Sequence, residues 1–414
     1  MKTIAEVLPI GVLLAAITVS LAWAEIPNEK QPPEKRDDVR AVVAGNNAFA
    51  LDLYAKLRTR EGNLFFSPYS ISTALAMIYA GARGNTEGQM AQALHFDLGQ
   101  DRLHPAFSAL VRQLNPEWGY ELVLANALWG QEGYRFVSPF LELTKKHYGM
   151  GLRKVDFRKH PDAARETINT WVEKETRGNI KDLVKPDLLL PETRLVLTNV
   201  LYFKGKWASP FEPEYTKAGD FTLLTGKKVR VDMMNQSQDF YYIEDNKVQI
   251  LAMPYNGEWE PLMIVVLPKK LDGLPALERS LTYEKWSRWW SQLCERGSTE
   301  VKVSFPKYKI ASAFRLDNAL RTMGMTDAFS AAADFSGMNG EKEPLWLSAV
   351  IHEAFVAVDE KGTMAAAAAG GFGVGGIAEG PPPVFRADHP FLFLILDGRA
   401  NSIFFLGRVT NPKN

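Results

Sequence analysis

Seven runs from residue 194 onward are rich in β-branched, aromatic and other apolar residues, and they read as strands. They are RLVLTNVLYF (194–203), KVRVDMM (228–234), LMIVVLP (262–268), EVKVSFPKYKI (300–310), AFVAVDE (354–360), FLFLILD (391–397) and SIFFLGRV (402–409). The earlier part of the chain carries helical signals instead. Val42, Phe49, Leu53 and Leu57 recur at helical spacing, and Ser67 followed by Pro68 gives a cap and a first-turn proline to SPYSISTALAMIYAGARG. A third helix is expected in DAARETINTWVEKETRGN, with Ile168, Trp171 and Val172 on one side and Gly178 as its stop. Helices first and strands later make the class α+β, and with no repeat, heptad or dividing linker the chain reads as one large domain.

Lysine plus arginine and aspartate plus glutamate number 48 each, so nothing in the balance favours a nucleic-acid groove or another polyanionic partner. Residues 1–24 have the grammar of a secretory signal peptide: an early lysine, an apolar run from Val7 to Leu21, and Ala22-Trp23-Ala24 before Glu25. The expected product is secreted or periplasmic, an uncleaved amino-terminal anchor being the alternative. Residues 25–38 are proline-rich and charged, as a disordered leader would be, and the folded domain is expected over 39–414. Cys294 is the single cysteine, so no internal disulfide can form and stability must come from the core.

Familiar chemical motifs fail on context. Gly371-Phe372-Gly373-Val374-Gly375-Gly376 has the letters of a dinucleotide-binding glycine loop, but Pro381, Pro382 and Pro383 follow where a helix would have to start. His352-Glu353 lacks the second histidine of a zinc-protease helix, because Val356 stands there. One cysteine and six scattered histidines indicate no metal site and no cofactor. No nucleophile motif supports hydrolase chemistry, so the chain is not read as an enzyme.

Five segments in order carry a family resemblance over about residues 39–411: GNLFFSPYSISTALAMIYAGARGNT (62–86), TNVLYFKGKWASPF (198–211), MGMTDAFSAAADFSGM (323–338), LSAVIHEAFVAVDEKGT (347–363) and FRADHPFLFLI (385–395). The chain resembles the serpins, a family of serine protease inhibitors. The resemblance implies three β-sheets with eight or nine helices and a metastable form with an exposed reactive-centre loop, here about 360–384. It implies a monomer that traps a target serine protease as a covalent acyl complex while the cleaved loop inserts into the central sheet.

The loop's composition suits that role. Ten of the fourteen residues after Lys361 are alanine or glycine. Small side chains ease passage between paired strands, whereas a charge turned inward would cost several kcal/mol. Glu360, Lys361, Gly362 and Thr363, followed by Ala365, Ala366, Ala367 and Ala368, form a hinge like that of inhibitory members. Alanine's helix propensity and the linker-like glycines are the plain alternatives. Ser67, Ser70, Asn199 and His352 match the family's buried polar cluster under the sheet opening, and Trp207 matches the tryptophan where the loop enters.

Counting from the hinge places the scissile bond at Gly376–Ile377; counting back from His389-Pro390 places it at Glu379–Gly380. The bracket is Val374, Gly375, Gly376, Ile377, Ala378 and Glu379. No lysine or arginine lies between Gly362 and Phe385, which excludes trypsin-like targets and favours elastase-like or subtilisin-like ones. The segment corresponding to the family's helix D has the single arginine Arg102, so heparin-type activation is not expected. A non-inhibitory serpin acting as a binding, carrier or structural protein is the alternative function.

Overall fold

The computed structural model describes residues 33–113, 120–149, 151–256, 261–340, 344–363 and 380–413. In chain order they begin with α1 (Pro33–Leu57), β1 (Leu64–Phe66), α2 (Pro68–Tyr79), α3 (Gly84–Leu94), α4 (Gln100–Gln113), β2 (Tyr120–Gln131), α5 (Ser138–Tyr148), β3 (Leu152–Val155), α6 (Pro161–Glu175) and β4 (Leu195–Lys206). Then come β5 (Lys217–Thr222), β6 (Lys228–Glu244), β7 (Val248–Pro254), β8 (Pro261–Pro268), α7 (Leu274–Arg279), α8 (Tyr283–Arg296), β9 (Ser298–Pro306), β10 (Tyr308–Arg315) and α9 (Asp317–Thr322). The last are α10 (Ser336–Asn339), β11 (Leu347–Asp359), β12 (Gly362–Thr363), β13 (Val384–Arg386), β14 (Phe391–Asp397) and β15 (Ser402–Val409). The α+β expectation holds, with ten α-helices among the described residues where eight or nine were expected; α7, α9 and α10 are short.

The strands form two hydrogen-bonded networks. One has six strands in the order β10-β11-β12-β4-β2-β3; the other has nine, ordered β1-β15-β14-β8-β7-β6-β9-β13 with β5 added on β6. The expected third sheet is continuous with the second because β6 runs for 17 residues and changes partners along its length. Its first part pairs with β5, its middle with β9 and its end with β7.

Every residue of β8, β14 and β15 is buried, which is why these runs are apolar without alternation. Helix α2 is likewise buried at all twelve positions and mostly apolar, so it is the internal helix on which the sheets are stacked. Ser67 caps it as expected, its hydroxyl accepting from Ser70 N–H.

The boundary expected for the leader is wrong by six residues, since α1 starts at Pro33 and takes in 33–38. Charged side chains there are tied down locally: Arg40 lies 3.5 Å from Asp37, and Arg102 of α4 donates to Asp38. No helix among the described residues is long and apolar enough to cross a membrane. Cys294 sits half-buried near the end of α8, and burial pushes its thiol up to about 11, consistent with an inert side chain.

One buried ion pair ties α1, α7 and β15. Arg408 donates to Glu278 at 2.8 Å, Tyr54 hydroxyl donates to the same oxygen at 2.5 Å, and both charged groups are more than nine-tenths buried. Removing only the cation strands a buried carboxylate. Arg408→Met should therefore destabilise the uncleaved protein by about 3 kcal/mol, and adding Glu278→Leu should recover part of the loss. Urea midpoints of the two variants against the parent check this.

Candidate functional site

Two features of the six-stranded sheet meet along the seam between β11 and β4. The first is the seam itself. β11 and β4 pair in parallel from Leu347 opposite Leu195 to Phe355 opposite Tyr202, and parallel ladders are slightly weaker per residue than antiparallel ones. Beyond Phe355 the strands part, and β12 occupies the gap. It is antiparallel to both neighbours, with Gly362 opposite Asp359 and Lys206, and Thr363 opposite Val358 and Gly205.

From the sequence the loop is expected to be exposed from about residue 360, but Gly362 and Thr363 are buried and already form a short strand. Gly362 has φ +143°, and a Cβ there would lie 2.1 Å from the carbonyl oxygen of Gly205, so only glycine fits. Thr363 is fully buried, with its hydroxyl 2.7 Å from the Tyr255 hydroxyl.

The turn before β12 is held by backbone and side-chain bonds. Trp207 N–H donates to Lys361 O at 3.1 Å, Phe211 N–H to Glu360 O at 2.9 Å, and the Trp207 indole N–H to Asp359 O at 3.0 Å. The Trp207 ring stacks on Tyr255 with centroids 4.5 Å apart. Burial opposes ionisation of Glu360, but hydrogen bonds from Lys307, its own backbone and Thr216 outweigh it and hold the carboxyl below its usual range. Trp207 thus contacts the hinge turn through both its backbone and its indole N–H.

The second feature is the polar cluster on the α2 side of the seam. Ser67, Ser70, Asn199 and His352 do come together, all fully buried. His352 Nδ1 lies 2.5 Å from Asn199 Oδ1, and Ser67 N–H donates to His352 Nε2 at 3.1 Å. Asn199 Nδ2 donates to Ser70 Oγ at 2.6 Å, and Ser67 Oγ donates to Phe404 O at 2.6 Å.

Nothing in the sequence singled out a fifth member, Asn126, whose Oδ1 accepts from Asn199 Nδ2 and from Ser70 Oγ. Asn126, Asn199 and His352 are register partners on β2, β4 and β11, so a polar row crosses the seam at one level. Because Nε2 accepts from a backbone N–H, the neutral His352 ring carries its proton on Nδ1 and donates it across the seam. Burial lowers the pKa of His352 to about 3.

Tyr255, Lys307 and Thr216 were also missed, since each reaches the hinge from a distant segment. Ala365, Ala366, Ala367 and Ala368 of the expected hinge, and the bracket Val374, Gly375, Gly376, Ile377, Ala378 and Glu379, lie outside the described residues. No group of three or more metal-ligating side chains occurs among the described residues.

Comparison with known proteins gives a family and several similar structures. The family model described as Serpin (serine protease inhibitor) matches residues 44–412. The leukocyte elastase inhibitor of Sus scrofa is 40% identical over 378 residues, spanning 89% of this chain and 99% of that protein. Uncleaved ovalbumin superposes with a TM-score of 0.80 at 31% identity, over 90% of this chain and all of its own. Human thyroxine-binding globulin superposes with a TM-score of 0.80 at 32% identity, over 91% of this chain and 99% of its own.

The neutral histidine makes the seam sensitive to acid. The unfolded chain takes up a proton near pH 6.5 and the folded cluster resists it down to about pH 3. The stability His352 contributes is therefore complete above pH 6.5 and falls between those values, by about 2 kcal/mol at pH 5. The urea midpoint of the uncleaved protein should drop between pH 7.5 and pH 5, and His352→Asn should make that drop smaller.

Proposed function

The chain belongs to the serpin family, and on that premise we propose that it inhibits serine proteases irreversibly by inserting its own cleaved loop into the six-stranded sheet. The observation that carries this reading is β12. Two residues of the loop already lie between β11 and β4, antiparallel to both, with a small polar side chain buried at the second.

The phase of a longer insertion follows from Thr363. In an antiparallel ladder each further loop residue meets neighbours one step back on both strands. Thr363 faces Val358 and Gly205, so six residues on, Ala369 would face His352 and Asn199. The inserting strand would thus reach the polar row at an alanine and replace the bond that spans the seam. Side chains alternate, so those that would turn inward with Thr363 on insertion are Ala365, Ala367, Ala369, Gly371, Gly373 and Gly375. Met364, Phe372 and Val374, the larger ones, would fall on the other face. The glycines share the logic of the alanines.

Insertion would exchange one parallel seam for two antiparallel ones. Ten or so added ladder bonds at roughly 1 kcal/mol each amount to on the order of 10 kcal/mol. That is comparable with the stability of a typical domain, ~5–15 kcal/mol, and leaves the uninserted form metastable. A protease whose serine has opened a bond in the bracket is held as an ester on the loop, and the loop's insertion carries it across the sheet. Displacement of its catalytic groups by about 1 Å would slow hydrolysis of that ester ~10²-fold.

Absence of lysine and arginine between Gly362 and Phe385, together with similarity to a leukocyte elastase inhibitor, supports elastase-like or subtilisin-like targets. Similarity to thyroxine-binding globulin favours the alternative, a carrier, which would not need so small a set of inward residues.

Export rests on residues 1–24 alone. The mature chain recovered from culture medium or periplasm should begin at Glu25, and amino-terminal sequencing that finds residues 1–24 retained would overturn it.

Thr363→Arg should turn the inhibitor into a substrate: the loop is cut, but no protease complex survives denaturing electrophoresis. Ala367→Leu, turned inward between Ala354 and Leu201, should raise the number of inhibitor molecules consumed per protease several-fold. Ala366→Leu, on the other face, should change it little. Equal effects of the two would refute the phase. Cleavage of the parent loop should raise its melting temperature, and an unchanged one would count against insertion.

A further inference from the structure

Between the two ends of the loop lies a groove of about 660 Å³ that the insertion mechanism does not use. One wall is Pro210 and Glu212, which flank the Phe211 bonded to the Glu360 carbonyl at the hinge. Its lining also includes Val384 and Arg386 of β13, where the chain returns from the loop to the sheet.

Two of the five large apolar or aromatic side chains exposed among the described residues are here, Tyr215 at 54% and Val384 at 58%. The charged groups lining the groove are three cations, Lys217, Lys302 and Arg386, and one carboxylate, Glu212. Arg386 is held by Asp388 at 2.8 Å, while the ammonium groups of Lys217 and Lys302 have no partner among the described residues. An exposed apolar pair beside unpaired cations is the composition of a docking surface.

We propose that this groove is a second contact for the target protease, and that it selects proteases bearing an acidic patch with an apolar centre beside the part of the cleft that holds residues after the scissile bond. The proposal rests on the inhibitory reading. Chain length fixes the occupant. From Ile377 to Val384 is seven residues and from Glu379 five, so a protease holding either candidate bond has its cleft within about 25 Å or about 18 Å of Val384. A protease domain of about 230 residues has a radius of gyration of about 17 Å, so the groove lies within reach of its body while it holds the loop. Lys217 and Lys302 then face the protease surface during encounter, where opposite charge raises the association rate.

The test compares the parent with Lys217→Glu/Lys302→Glu and with Tyr215→Ala, using subtilisin and pancreatic elastase as probes at 50 mM and 300 mM NaCl. With whichever protease the parent inhibits faster, the charge reversal should lower the second-order rate of inhibition roughly tenfold at low salt and less at high salt. Tyr215→Ala should lower it several-fold at both. Cleavage position and the number of inhibitors consumed per protease should not change, because these side chains lie outside the inserting strand.

Rates within twofold of the parent at both salt concentrations would overturn the proposal, as would a faster rate for the charge reversal. If the parent forms no denaturant-stable complex with either protease, the inhibitory reading itself fails, and that result is seen before any variant is compared.

Discussion

The hydrogen bond from His352 to Asn199 spans the seam between β11 and β4, and the rest of the sheet's behaviour depends on it. The bond is possible only because three strands place Asn126, Asn199 and His352 at one level and α2 brings Ser67 and Ser70 up beneath them. Burial makes the bond strong and also keeps the histidine neutral, since a charged ring in that position would be desolvated without a counter-ion. A seam closed by a polar row differs from one closed by packed leucines. Its bonds can be exchanged for others when a strand arrives, whereas a packed apolar layer would have to be separated before anything was gained.

The hinge is the other half of the same constraint. β12 separates the strands above the polar row, and its turn is fastened from four directions by Trp207, Phe211, Lys307 and Thr216. The upper end of the seam is thereby held open while the lower end is held shut. Under the proposed insertion, the strand need not nucleate a new pairing from solution; it lengthens one that exists, and extension is the easier step wherever ordering the first residues is the main entropic cost.

Much of this was legible in the sequence because it is local. Ser67 before Pro68 states a helix cap in two residues, and runs such as FLFLILD state buried strands by composition. The members of the polar cluster and Trp207 were reached through resemblance and not through any pattern in their own segments. What remained hidden depends on register between distant segments. Asn126 sits in an ordinary apolar strand and gains its role only when β2 lies beside β4 at that offset. Tyr255 becomes part of the hinge because an isolated bridge sets it against Trp207. The six helical residues before Val39 looked like leader by composition, since charge and proline content are blind to the partner that Arg102 supplies from α4.

Register also changes what the alanines and glycines mean. Composition alone cannot separate a linker from a strand built to enter a sheet, because both are poor in bulk and charge. Phase can. Thr363 points inward, so under the proposed insertion every loop residue through Gly375 would acquire a face, and Met364, Phe372 and Val374 would all fall on the opposite side from Thr363. A linker has no reason to keep its large side chains in step over a dozen residues. A strand that must slide over α2 and past His352 does, because a single branched side chain turned inward there would meet a layer that is already fully packed.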